Sequence, residues 1–89
     1  MQAVICVVGR DRVGILKDIA TKCADHNVNV IDVSQTVLRD MFTMIMLVDI
    51  SKIDIKFGDF SAEMEGYGKE IGMDTRAMHE DIFNSMHRV

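Results

Sequence analysis

The first apolar run, AVICVV, is broken only by Gly9. A β-branched run of this length closed by glycine predicts a buried strand over 2–8. From Val13 the period changes. Ile15, Leu16, Ile19, Ala20, Cys23 and Ala24 recur at three- and four-residue steps, with Lys17, Asp18, Lys22 and Asp25 between them. That is the pattern of an amphipathic helix laying one stripe on a core. His26 and Asn27 mark its end, because asparagine tolerates the left-handed conformation of a helix C-terminus. Residues 27–38 then alternate, with Asn29, Ile31, Val33, Gln35 and Val37 on one side and Val30, Asp32, Ser34, Thr36 and Leu38 on the other. Arg39, Asp40 and Met41 fit a tight turn. The segment 42–50, FTMIMLVDI, is apolar on both faces, as a strand inside a sheet should be.

The helical period returns over 55–71 in Phe57, Phe60, Met64, Tyr67 and Ile71, with Asp54 as the expected N-cap. Gly58, Gly66 and Gly68 each weaken such a helix by about 1 kcal/mol relative to alanine, so tertiary packing must hold it. A weaker strand over 73–78 follows Gly72. The last segment, EDIFNSMHRV, places Ile82, Phe83 and Met86 on one helical face. Strand, helix, strand, strand, helix, strand is a split βαβ unit used twice. The expected fold is therefore α+β and ferredoxin-like: a four-stranded antiparallel sheet, two helices on one face, and a short extra C-terminal helix. The crossover rule puts strands one and three in the centre and strands two and four at the edges.

Length and composition narrow the picture. Eighty-nine residues make one domain, 1–89, of ordinary globular composition with 48% apolar and 27% charged residues. A net charge of −4 with scattered basic residues argues against nucleic-acid binding by phosphate neutralisation. No apolar run approaches the ~20 residues of a spanning helix. The apolar start has no positive residue ahead of it and meets Gly9-Arg10-Asp11 too soon for a signal peptide, so the expected location is cytoplasmic. Cys6 and Cys23 are expected to be reduced and buried.

The chemistry concentrates in GRDRVGI, residues 9–15. It joins the first strand to the first helix and delivers backbone N–H groups to that helix's N-terminus, where the dipole favours an anion. A phosphatase reading on this fold, of the acylphosphatase kind, needs an asparagine on the third strand. FTMIMLV contains none, and nothing near Arg10 or Arg12 activates a nucleophile. His26, His79 and His87 fall on different elements, and neither cysteine has a partner at ligand spacing, so no metal or other cofactor is implied. A free amino acid suits the loop better. The amides of Val13, Gly14 and Ile15 can take its carboxylate, Asp11 can meet its ammonium, and Asn29 can both donate and accept. The plainer alternative is that Asp11 caps the helix, Gly14 serves packing and Asn29 starts a strand.

The residues Val7-Val8-Gly9-Arg10-Asp11-Arg12-Val13-Gly14-Ile15-Leu16, followed by Asn27-Val28-Asn29-Val30-Ile31-Asp32, resemble an ACT domain. Ser34-Gln35-Thr36 and Phe42-Thr43-Met44 extend the resemblance to the small stand-alone members related to the glycine-cleavage repressor. It implies a non-catalytic regulatory protein that binds a small amino acid for allosteric control, at or near a homodimer interface. The implied ligand set is Gly9, Arg10, Asp11, Arg12, Val13, Gly14, Ile15, Asn29, Ile31 and Asp32. Independently, the second strand is an edge without lysine or proline to discourage pairing, which predicts a homodimer through sheet edge or face. A module that docks on a transcriptional regulator or metabolic enzyme without binding ligand is the alternative.

Overall fold

The computed structural model describes residues 1–86. Its elements are β1 (Gln2–Arg10), α1 (Ile15–Asp25), β2 (Asn29–Leu38), β3 (Met41–Asp49), α2 (Phe57–Ile71), β4 (Asp74–His79) and α3 (Glu80–Met86). The sheet is antiparallel in the order β2-β3-β1-β4, so the two most apolar strands are central, as the crossover rule requires. Ala3, Ile5 and Val7 of β1 and Phe42, Met44, Met46 and Val48 of β3 form the covered face. Against them pack Ile15, Ile19 and Cys23 of α1 and Phe60, Met64 and Tyr67 of α2. Side chains alternate across a pleated strand, so Cys6, Val8, Ile45, Leu47 and Met78 fall on the opposite, open face. Val4 also belongs to that face yet is buried. The element that remains to cover it is α3, which lies against β1 and β4.

Three local expectations change. First, β2 does not alternate cleanly, because the register with β3 skips Ile31 between Val30 and Asp32. The bulge inserts one unpaired residue and reverses the faces beyond it, so Val30 and Val33 both turn toward the core. Second, α2 begins at Phe57, and its N-cap is Lys56 rather than Asp54. Asp54 is engaged elsewhere, by His26. Third, Met41 already belongs to β3, opposite Leu38, leaving a turn of Arg39 and Asp40. The shared face of Ile82, Phe83 and Met86 is described only in part. Ile82 is exposed and Phe83 half-buried, while the Met86 side chain and His87 lie outside the described residues.

α2 approaches β4 closely at Gly68. A Cβ there would stand 2.5 Å from Thr75 Oγ1 and 2.8 Å from the Met73 carbonyl. Ser61, two turns earlier on α2, donates to the Ala77 carbonyl at 3.0 Å. One edge of the sheet is thus a six-residue strand with a helix against it. The other, β2, is ten residues long and exposed along nearly its whole length.

Candidate functional site

Loop 11–14 carries the sequence-predicted site, and the backbone explains its shape. The Asp11 N–H donates to the Asp40 carbonyl at 2.9 Å, fastening the loop to the β2–β3 turn. The Arg10 guanidinium reaches the Asp40 carboxylate at 3.7 Å, a solvent-exposed pair of little energetic weight. Gly14 then enters α1 with φ 92°, in the left-handed region open to glycine. Asp18 N–H donates to the Gly14 carbonyl at 2.9 Å as the first helical bond. No side chain caps this end, so Asp11 is not a helix cap here. The first-turn amides of Ile15, Leu16 and Lys17 therefore have no intrahelical acceptor. Arg10, Asp11, Arg12 and Val13 are all exposed, Val13 at 97%.

Gly9, Arg10, Asp11, Arg12, Val13, Gly14 and Ile15 are brought together at one end of the molecule. Asn29, Ile31 and Asp32 are not brought to them. Asn29 is level with Asp49 and Gln2, whereas the loop end is level with Leu38, Met41 and Arg10. The length of β2 separates the two groups by roughly 20–30 Å at ~3.3 Å per residue. Asn29 instead lines a groove of about 470 Å³ with Ala24, Asn27, Val28 and Lys52. Asp32 accepts the Val33 N–H at 2.9 Å, beside the bulge. The loop end also exposes apolar side chains, with Val37 and Met41 half-exposed and Leu38 at 72%.

A polar seam between α1 and α2 escaped the sequence reading. The Tyr67 hydroxyl donates to Asp18 Oδ2 at 2.6 Å, and Lys22 Nζ lies 5.2 Å from the Tyr67 ring centroid and 3.9 Å from Glu63. Burial, helped by the Asp18 bond, pushes the Tyr67 phenol up to about 12. His26 ends the seam, with Nδ1 3.0 Å from Asp54 and Nε2 2.7 Å from Glu63. The Asp54 hydrogen bond is the main cause holding its imidazole above its ordinary value; partial burial opposes it, and Glu63 adds to it. The signal was present as spacing: 18 and 22 on α1, 26 at its C-cap, and 63 and 67 on α2 each step by four, the interval of one helical face.

Among the described residues no group of three or more His, Cys, Asp or Glu side chains is poised to hold a metal. Cys6 and Cys23 are free thiols, the first half-buried and the second buried, and burial pushes Cys23 up to about 11. No helix among the described residues is long and apolar enough to cross a membrane.

A sequence profile of the ACT domain matches residues 1–78. The chain belongs to the ACT domain family. This ACT domain is 48% identical over 88 residues to a UPF0237 protein of Methanopyrus kandleri, covering 99% of this chain and 98% of that one. It is 42% identical to a UPF0237 protein of Listeria monocytogenes over the full length of both. An ACT domain protein from Streptococcus pneumoniae superimposes with a TM-score of 0.79 at 35% identity, covering 93% of each chain. A candidate glycine cleavage system transcriptional repressor gives 0.70 at 23% identity, across 85% of this chain and 43% of that one. A formyltetrahydrofolate deformylase from Pseudomonas syringae gives 0.78 at 21%, across 88% and 27%. The last two likenesses are of fold alone.

Proposed function

We propose that this ACT domain is a non-catalytic regulatory module that binds a small amino acid at the seam between two copies of itself. The observation that carries the reading is the bare β2 edge beside the uncapped Gly14 helix entry. Long unpaired edges are templates for pairing, and this one bears half-exposed Ile31 and Val37 and the exposed Leu38. Two β2 strands joined antiparallel about a two-fold axis place the Asn29 end of one against the Leu38 end of the other. The Leu38 end carries the loop that Asp11 fastens to Asp40. Pairing therefore brings Asn29, Ile31 and Asp32 of one protomer toward Gly9, Arg10, Asp11, Arg12 and Val13 of its partner, which a single chain keeps apart. In such a seam the free amides after Gly14 take the carboxylate, Asp11 takes the ammonium, and Asn29 reads the rest of the molecule. The exposed Val13, Leu38 and Met41 are covered in the same step.

The test is thermal unfolding against the twenty amino acids at millimolar concentration, with sedimentation on the same samples. A ligand at a hundred times its dissociation constant adds about 2.7 kcal/mol, or roughly 10–20 °C for a chain of this length. One or two selective shifts, lost in Asp11→Ala with the dimer retained, are expected. A flat panel with a persistent dimer refutes ligand binding. It would favour the second reading, a docking module for a transcriptional regulator or metabolic enzyme, to which the partly exposed apolar side chains Val8 and Ile45 of the open sheet face give support. A monomer at tens of micromolar refutes the seam.

A further inference from the structure

His26 joins three segments that meet beside Asn29. Its backbone carbonyl accepts the Asp54 N–H at 3.2 Å, and its Nδ1 faces Asp54 Oδ1 at 3.0 Å, so α1's end and the 50–56 connector are fastened by a reciprocal pair. Its Nε2 faces Glu63 of α2 at 2.7 Å, and the ring meets the Phe60 ring edge-on at a centroid distance of 6.1 Å. Asp54 and Glu63 can only accept when ionised. Both ring nitrogens must therefore donate, which an imidazolium does and a neutral imidazole cannot. The charged groups around the ring are Asp54 from the connector, Glu63 from α2 and, through Glu63, Lys22 from α1. The groove that holds Asn29 is lined by Ala24 of α1, by Asn27 and Val28 just after it, and by Lys52 from the connector. Lys52 is two residues from Asp54, and Asn27 is next to His26.

We propose that His26 is a proton-operated tie that sets the width of the groove beside Asn29. With the imidazole doubly protonated, both bonds form and the connector is drawn to the end of α1. Loss of one proton leaves one ring N–H for two carboxylates. The Nε2 contact to Glu63 is the shorter and less exposed of the two, 2.7 Å against 3.0 Å, so the remaining N–H stays there. Nδ1, facing the more exposed Asp54, is the nitrogen released, and the span around Lys52 loosens. Ile53 and Ile55 pack on the core and keep the connector attached, so the change is a local widening and not an unfolding. The functional consequence, proton control of the Asn29 side of the seam, rests on the ligand reading given above; the tie itself does not.

The test uses the full chain, labelled with ¹⁵N and titrated from pH 5 to 9 without ligand. The expected result is a His26 imidazole that titrates above the ~6.5 of a free histidine, with the amides of Asn27, Asn29, Lys52 and Asp54 moving at the same midpoint. Asp54→Asn should lower that midpoint, and His26→Gln should abolish the amide response while the spectrum stays folded. Amides of Lys52 and Asn29 that remain flat through the His26 midpoint overturn the proposal. So does a His26 that titrates at the ordinary value. A flat amino-acid panel beside an intact titration removes the ligand reading and leaves the tie standing.

Discussion

Gly66 and Gly68 lie two residues apart on α2, and alanine should act on them in opposite directions. At Gly66 a Cβ meets nothing within 4 Å. Gly66→Ala therefore gains only the helix preference, about 1 kcal/mol. At Gly68 the new Cβ meets Thr75 Oγ1 at 2.5 Å, Thr75 Cβ at 2.8 Å and the Met73 carbonyl at 2.8 Å. None of these is the free end of a flexible side chain. The Met73 N–H donates to the Gly68 carbonyl at 2.8 Å, so that backbone is fixed to the same turn. Overpacking of this kind costs typically 1–3 kcal/mol, and contact with three atoms puts Gly68→Ala in the upper part of the range. After the ~1 kcal/mol gained in helix preference, a net loss of about 1–2 kcal/mol remains. At 4–8 °C per kcal/mol, the two variants should melt roughly 10–20 °C apart. The assay is thermal unfolding at one fixed protein concentration, followed by circular dichroism at 222 nm. Adding Thr75→Ala to Gly68→Ala removes the Oγ1 contact and should recover part of the loss. Equal stabilisation by both alanines would refute the close approach of α2 to β4.

Four further outcomes are expected. Thr75 Oγ1 is buried without a hydrogen-bond partner among the described residues, so Thr75→Val should raise stability by about 1 kcal/mol in urea unfolding, because the stranded hydroxyl goes while the shape stays. Tyr67→Phe deletes the 2.6 Å bond to the half-exposed Asp18 and should cost about 1 kcal/mol by the same measurement. Folding stability should also depend on His26. Its folded value is raised, so its contribution is fully present below ~6.5. It should be lost as pH rises through the folded midpoint, and urea midpoints of the wild type and His26→Gln should converge at alkaline pH. Ser34→Lys, near the middle of β2, sets like charges against each other across the proposed two-fold seam and should give a monomer in sedimentation; an unchanged dimer would move the interface elsewhere.

What the sequence determined by itself was what its local period encodes. The order of elements, the covered faces of β1 and β3, the central place of those strands and the glycine entry to α1 all follow from alternation, three-to-four spacing and crossover handedness. The elements and their faces depend on residues within a turn or two of one another, and the strand order on the handedness of the connections. The tertiary structure decided what depends on distant partners. Asp54 was read as a helix cap because it precedes a helical run; it is claimed instead by a histidine 28 residues earlier. The Ile31 bulge is invisible to alternation because it is set by pairing with β3, and it turned half of β2 over. Asp11 and Asn29 looked like one site along the chain, yet α1 carries the backbone from one end of the sheet to the other between them. A helix that spans the sheet separates what sequence sets close together.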